Sequence, residues 1–347
     1  MDGSRWVRVL GVVGVFVVAL EGIGQLALSW RPLADRIEAS GAVGRRLASV
    51  RRARAARDQG RPLLHGLSAY DAELGWVARP GIHDTPGGRV TVDRQGRRRT
   101  SETPRVGRGL AVVGDSFTFG DEVADAQAWA WRLAEVLDVP VHNHAALGYG
   151  LDQAVLRLER DVLPTEPVAA VLGVTAVMEL RTALDWDAWA KPRFIDHDPL
   201  RLQDARVLPP AELLAQQPTW ATAWVAELVG ERLRGPSLSW EAQRAVDDAL
   251  RDRAVRAAQE AEVPLLVVWM GAEGEYDRPA GQRGTAVAQW AAWCDSRGVA
   301  CLDTTHALAE AHDAGVTLTG RAHWTPAGNA IVAEAIAEAL SGLGWIQ

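Results

Sequence analysis

The sequence predicts an α/β protein, a three-layer α/β/α fold around a parallel sheet, preceded by an N-terminal transmembrane helix. Three observations carry this reading. From residue 109 onward, short β-rich apolar runs alternate with amphipathic stretches, the rhythm of strand–helix–strand crossovers. The first of those runs ends directly in Gly114-Asp115-Ser116, turn chemistry at a strand end, where open α/β sheets place their ligands. Ahead of both, Val9 to Leu20 is an unbroken apolar run.

With Glu21 and Gln25 tolerated, the N-terminal stretch extends to Trp30. As a helix it would rise roughly 30 Å, the thickness of a bilayer core. Arg5 and Arg8 precede it, and Trp6 and Trp30 bracket it as interface anchors would. Residues 1–30 are therefore read as a membrane anchor. A cleaved signal peptide and a buried soluble helix are the alternatives; the former fits the short apolar centre but lacks a clean small-residue cleavage site. Glu21 is costly in lipid and calls for a partner or a proton. Residues 31–66 are rich in Arg and Ala and read as an exposed juxtamembrane helix or tether, resting on anionic headgroups or simply solvated. Arg31, Arg36, Arg45 and Arg46 outnumber Arg5 and Arg8, and that charge bias opposes export of the main domain.

Strands are expected within 109–114, 139–143, 167–175, 263–271 and 298–303. Helices are expected near 126–137, 151–163, 241–261, 284–296 and 327–341. A chain of 347 residues, 48% apolar, has ample length for a buried core. Its net charge of −7 disfavours a nucleic-acid binder working through a basic face. Cys294 and Cys301 cannot build a four-thiolate zinc site; a bond between them and two free thiols both stay open. Fifteen Trp against 3 Tyr and 4 Phe is unusual, and Trp suits half-wet surfaces and sugar clefts.

Two motifs carry chemistry. Ser116 sits where a strand runs into a helix, so its hydroxyl is presented beside free N–H groups that can hold an oxyanion. His323 lies in Ala322-His323-Trp324-Thr325-Pro326, ahead of a helix opened by proline. From that loop it can reach across the sheet edge as general base.

Together these blocks resemble the SGNH, or GDSL, hydrolase family. GDSFTFGDEV is similar to the serine block, NHAALGYGLDQAVLRLER (143–160) to the second block, and HWTPAGN to the last. YDAELGWVARPG (70–81) with VTVDRQGRRR (90–99) resembles the β-rich segment of membrane-anchored members, and KPRFIDHDPLRL (191–202) their insertion after the third strand. The resemblance implies a short β-rich segment at 67–104 and a hydrolase-like domain at 105–347, with an insertion at about 182–240. It also implies Ser116 as nucleophile, His323 as base, and the N–H groups of Ser116 and Gly148 as oxyanion hole. No metal or organic cofactor is implied. The expected partners are an acyl ester of a cell-envelope glycan or lipid, on an extracytoplasmic face, and the membrane itself. A fold that binds such a partner without turnover is the alternative.

Two departures motivate that alternative. The family's acid before the histidine is replaced by Gly320 and Arg321; in a serine protease such a loss cost about 10⁴ in rate. The third strand ends in Gly173-Val174-Thr175-Ala176, without the family's Asn donor, a loss of roughly 10² to 10³. The Thr175 hydroxyl is the nearest substitute, and Arg181 is read as a solvated helix residue. An acidic stretch from Asp185 to Asp198 lacks metal-ligand spacing. Trp186, Trp189, Trp220 and Trp224 fit a sugar face or lid, although the spacing of the last two is that of a core.

Overall fold

The structure, a computed structural model, describes residues 41–64, 66–103, 107–182, 184–186, 189–203, 206–234, 239–278 and 285–346, with 19–23, 25–26 and 36 from the N-terminal stretch. The strands are β1 (Ser68–Asp71), β2 (Gly75–Ala78), β3 (Gly81–Thr85), β4 (Gly88–Val92), β5 (Leu110–Val113), β6 (Val141–Asn143), β7 (Ala169–Val174), β8 (Arg193–His197), β9 (Leu200–Gln203), β10 (Leu265–Trp269) and β11 (Cys301–Asp303). The helices are α1 (Ala42–Asp58), α2 (Ser116–Phe119), α3 (Trp129–Val136), α4 (Leu151–Arg157), α5 (Ala176–Thr182), α6 (Pro210–Ala215), α7 (Ala221–Arg234), α8 (Trp240–Glu260), α9 (Thr285–Arg297), α10 (Thr305–Asp313) and α11 (Pro326–Gly342).

Five strands form the central sheet in the order β11-β10-β7-β5-β6, every pair parallel. Residues of β5, β7 and β10 are buried throughout, which is why these segments read as continuous apolar runs rather than alternating ones. Leu110, Val112 and Val171 pack with Trp129 and Leu133 of α3 and Ile336 of α11 on one face. Numbered in chain order, the five strands run 2-1-3-4-5, the flavodoxin-like arrangement. Its switch point lies between β5 and β7, at whose carboxyl ends sheets of this order place their ligands.

Two compact units divide the chain. The larger holds the sheet: residues 66–184, 191–207 and 240–347. Within it, hairpins β1–β2 and β3–β4 precede the sheet, and Arg98 bridges to both Val92 and Asn143, joining the second hairpin to the β6 edge. A Cys294–Cys301 disulfide ties α9 to the start of β11.

The smaller unit holds residues 1–65, 185–190 and 208–239. The insertion is therefore shared between units, with β8–β9 in the larger and α6 and α7 in the smaller. Of the exposed helix or tether expected at 31–66, residues Ala42–Asp58 form the helix α1, but the expected exposure is corrected there: Leu47, Val50 and Ala53 are buried, because α1 packs against α6 and α7. Trp186 and Trp189 are buried with ring centroids 5.1 Å apart, and Trp224 is buried too. Only Trp220 of that set is exposed, so these rings serve mainly as core and not as a sugar face.

The expected membrane helix at 1–30 falls largely outside the described residues. Among the described residues no helix is long and apolar enough to cross a membrane.

Candidate active site

Ser116 is placed by the end of β5. Gly114 continues the strand, and Asp115 caps the short helix α2, its carboxylate accepting from the Phe117 N–H at 3.0 Å. The Ser116 N–H thus stands in the first turn, where backbone donors have no intrahelical partner. Gly114 and Gly173 are dictated by Thr118, which lies across the ends of β5 and β7: a Cβ on either glycine would fall 2.2 or 2.1 Å from its hydroxyl. Asn143, at the end of β6, donates to the Thr118 carbonyl at 3.0 Å and holds the turn from the other side.

His323 stands in a tight loop before α11. Gly320 N–H donates to the His323 carbonyl at 2.8 Å, and Thr325 N–H to the Leu318 carbonyl at 2.8 Å. The buried Trp324 anchors the loop by donating its indole N–H to the Gly271 carbonyl at 2.9 Å. Phe117 packs 4.9 Å, centroid to centroid, from both the His323 and Trp324 rings. The result is a His323 Nε2 that lies 2.8 Å from Ser116 Oγ across 207 residues of chain. That distance suits transfer of the serine proton to the imidazole.

The other ring nitrogen faces an acid that the sequence did not point to. Glu122 Oε1 lies 3.2 Å from His323 Nδ1, and Asp121 Oδ2 lies 3.8 Å away. The approach is off the ring N–H direction, so it is an ion-pair contact and not a well-formed hydrogen bond; such contacts commonly tighten only with substrate bound. Glu122 Oε2 accepts from the Arg321 and Ala322 N–H groups at 3.0 and 3.2 Å. Burial raises the Glu122 pKa, but the Ala322 and Arg321 amides and the His323 ring outweigh it and hold the carboxyl below its ordinary 4.5. A Cβ built on Gly320 would lie 3.4 Å from Glu122 Oε2. The acid expected at 320 or 321 is absent from that loop, and the Glu122 carboxylate occupies the adjoining space.

The loop carrying Glu122 is held from behind. Gly120 and Glu122 both take left-handed conformations, with φ of 84° and 65°, which curls the chain back after α2. The buried Arg98 guanidinium fills the curl: it donates to the Phe119 carbonyl at 3.0 Å, to the Val123 carbonyl at 2.7 Å and to the Gly120 carbonyl, and pairs with Asp125 at 3.3 Å. Gly87, between β3 and β4, meets the same loop so closely that a Cβ there would overlap the Glu122 carbonyl.

The 147–150 loop follows Ala146, whose N–H donates to the Gly114 carbonyl at 3.2 Å. Gly148 takes φ of 75°, and hairpin β1–β2 braces its neighbours. Trp76 donates to the Leu147 carbonyl at 2.8 Å, and the Tyr149 hydroxyl to the Trp76 carbonyl at 2.7 Å. Thr175 does not supply the missing third-strand donor: its hydroxyl donates to Asp115 Oδ2 at 3.0 Å and accepts from the Met178 N–H at 3.1 Å. Arg181 is not a solvated helix residue either. It lies 3.5 Å from Asp115 Oδ2 and from the Tyr149 carbonyl. Burial pushes the Asp115 carboxyl up, while Arg181, the Phe117 amide and Thr175 act against that rise.

The structure brings Ser116 and His323, both singled out in the sequence, within hydrogen-bond distance of each other; Glu122 and Arg98 were not singled out there. The only sequence signal for Glu122 was an acid shortly after the serine, ordinary for a loop. Asp196, from the acidic stretch, pairs with Arg201 at 2.8 Å. Among the described residues no group of three or more His, Cys, Asp or Glu is placed to hold a metal.

With this geometry in hand, solved structures provide a comparison. The likeness is to G-D-S-L proteins and esterases. A member of the lipolytic protein G-D-S-L family from Veillonella parvula matches with 12% identity and a TM-score of 0.37, over 68% of this chain and 99% of that one. A catalytic mutant of an acetylxylan esterase from Geobacillus stearothermophilus matches with 14% identity and a TM-score of 0.40, over 70% and 97%. An acetyl xylan esterase matches with 14% identity and a TM-score of 0.40, over 67% and 99%. No family model matches the chain, and no curated protein does. At these identities and TM-scores the likeness adds no chemistry, which rests on the distances around Ser116 and His323.

Proposed function

We propose that the protein is a serine-dependent esterase or O-acyltransferase. The observation that carries this reading is the 2.8 Å contact between Ser116 Oγ and His323 Nε2 at the switch point of the sheet. Ser116 attacks the ester carbonyl while His323 takes its proton. The N–H groups of Ser116 and Gly148 receive the developing oxyanion, and Glu122 orients the ring and stabilises its charged form. His323 then returns the proton to the leaving alcohol. Water, or a sugar hydroxyl in the transferase version, takes the acyl group from Ser116.

The substrate class we favour is an acyl ester of a cell-envelope glycan or lipid, with the enzyme anchored through residues 1–30 and the sheet domain on the extracytoplasmic side. The apolar run Val9–Leu20 supports attachment. The Cys294–Cys301 bond supports an oxidising compartment, against the arginine bias noted above. A fluorophosphonate probe tests the chemistry: labelling of Ser116 that disappears in His323→Ala, with hydrolysis of an activated acetate ester, supports it. No labelling and no hydrolysis would leave the second reading, a glycan- or protein-binding fold without turnover. That reading draws on the engagement of Thr175 with Asp115, which leaves no third-strand hydroxyl for an oxyanion.

A further inference from the structure

In the smaller unit α7 buries Ala221 and Trp224 but leaves larger aliphatic residues outside. Charged groups of α7 face its neighbours: Glu227 pairs with Arg46 of α1, and Glu231 accepts from the Ala42 and Val43 N–H groups at 2.7 and 3.2 Å. Its first turn is capped by Glu21, whose carboxylate accepts from the Ala221 N–H at 2.6 Å and from the Thr222 N–H and hydroxyl at 3.0 Å. The outward face carries an apolar stripe beside the exposed Arg232. Val225, Val229 and Leu233, spaced four residues apart on one stripe, are 46%, 53% and 81% exposed. Ile23 and Leu26, on the short helical stretch around Glu21, are 63% and 71% exposed. A helix folded for water alone turns such residues inward.

We infer that the outward stripe of α7 lies on the phospholipid bilayer surface. The inference rests on the membrane attachment proposed above and adds a second contact to it. Three features favour lipid over other occupants. The residues that cap α7 directly continue the apolar run Val9–Leu20, so Glu21 ties the start of α7 to the end of the segment read as the anchor. With Arg46 paired to Glu227, Arg45, Arg51, Arg52, Arg54 and Arg57 of α1 still stand beside one acid of that helix, Asp58, a local basic excess, in a chain of net charge −7, that suits anionic headgroups. Finally, α7 has 14 residues, roughly 21 Å at helical rise and too short to span the hydrocarbon. It lies in the interface, with the exposed Trp220 just ahead of it at the depth where indoles settle.

The glutamate contacts acquire a reason in this arrangement. Carboxylates facing lipid would be costly, so they are spent within the unit on helix N-termini and an arginine.

The test uses the full chain in vesicles of phosphatidylcholine and phosphatidylglycerol. An environment-sensitive fluorophore is attached at Val229→Cys or Leu233→Cys, with Val136→Cys, on the exposed side of α3 in the larger unit, as control. Blue-shifted emission quenched by brominated lipid at 229 and 233, and neither at 136, is the expected result. A chain that floats with vesicles while 229 and 233 stay water-exposed overturns the inference and leaves attachment standing. Emission shifted but not quenched also overturns it, since the stripe would then be covered by protein, either the N-terminal segment or a second copy. A chain that does not float overturns both readings.

Discussion

Two loops meet at the His323 imidazole, and they divide the work unequally. The loop at 318–325 presents the ring but holds no acid; its backbone amides at Arg321 and Ala322 instead receive a carboxylate. The loop at 119–125 carries that carboxylate and follows directly on the serine turn, so Ser116 and Glu122 belong to one continuous piece of chain. Arg98 clamps that piece through three carbonyls and Asp125. Nucleophile and acid are then fixed relative to each other whatever the histidine loop does. An orienting acid is defined by where its oxygen sits and not by its place along the chain.

The largest effects should come from the pair on which both loops converge. Ser116→Ala and His323→Ala are each expected to lower ester hydrolysis by on the order of 10⁴ or more, with melting temperature nearly unchanged. Residual activity within tenfold of wild type in either variant would move the chemistry away from this site.

Next comes the acid itself. Glu122→Gln keeps the size and removes the charge, and kcat is expected to fall by about 10² to 10⁴. The comparison between loops can be inverted in the same protein. Gly320 approaches Glu122 Oε2 at 3.4 Å once given a Cβ, so Gly320→Asp should recover part of the lost kcat when added to Glu122→Gln. In the wild-type background the same change sets two carboxylates together and should lower activity. If Glu122→Gln is as active as wild type, the contact at 3.2 Å is structural only.

How much of this was readable in the sequence follows the same division. Ser116 and His323 each sit at a locally marked place, a glycine-bearing strand end and a proline-opened helix, and the flanking periodicity foretold the sheet. Glu122 is marked by nothing local. Its role depends on the left-handed curl at Gly120 and on amides 199 and 200 residues away. Arg98 looked like one arginine in a basic run, and only the fold buries it. Helix α10 was not expected, although Asp303, whose carboxylate accepts from the Thr305 N–H at 2.8 Å, marks its start. The outward stripe of α7 was obscured because Trp224 and Trp220 share a spacing but not an environment, one buried and one exposed.

A smaller effect is expected from the clamp. Arg98→Lys retains a charge for Asp125 but cannot reach the same set of carbonyls, so the buried acceptors it abandons cost about 1–3 kcal/mol of stability. We expect kcat to fall roughly tenfold, on the view that a misplaced acid still helps, with KM little changed. Gly87→Ala pushes on the Glu122 carbonyl from the far side and should move kcat in the same direction. A stability loss in both variants with kcat intact would make the clamp a matter of folding alone.

The smallest effect separates the acid's charge from its shape. In the folded protein Glu122 is held below 4.5, against its ordinary value in the unfolded chain. The folded state therefore binds fewer protons than the unfolded one over that interval, and stability rises with pH across it. The stabilisation is fully present above 4.5 and is lost as pH falls through the lower folded value. Denaturant titrations of wild type and Glu122→Gln should then differ by a constant amount at neutral pH and converge as the pH drops below 4.5. Parallel curves down to the most acidic point would place the carboxylate in water, free of the Arg321 and Ala322 amides, and would return the orientation of His323 to the only other acid within 4 Å among the described residues, Asp121.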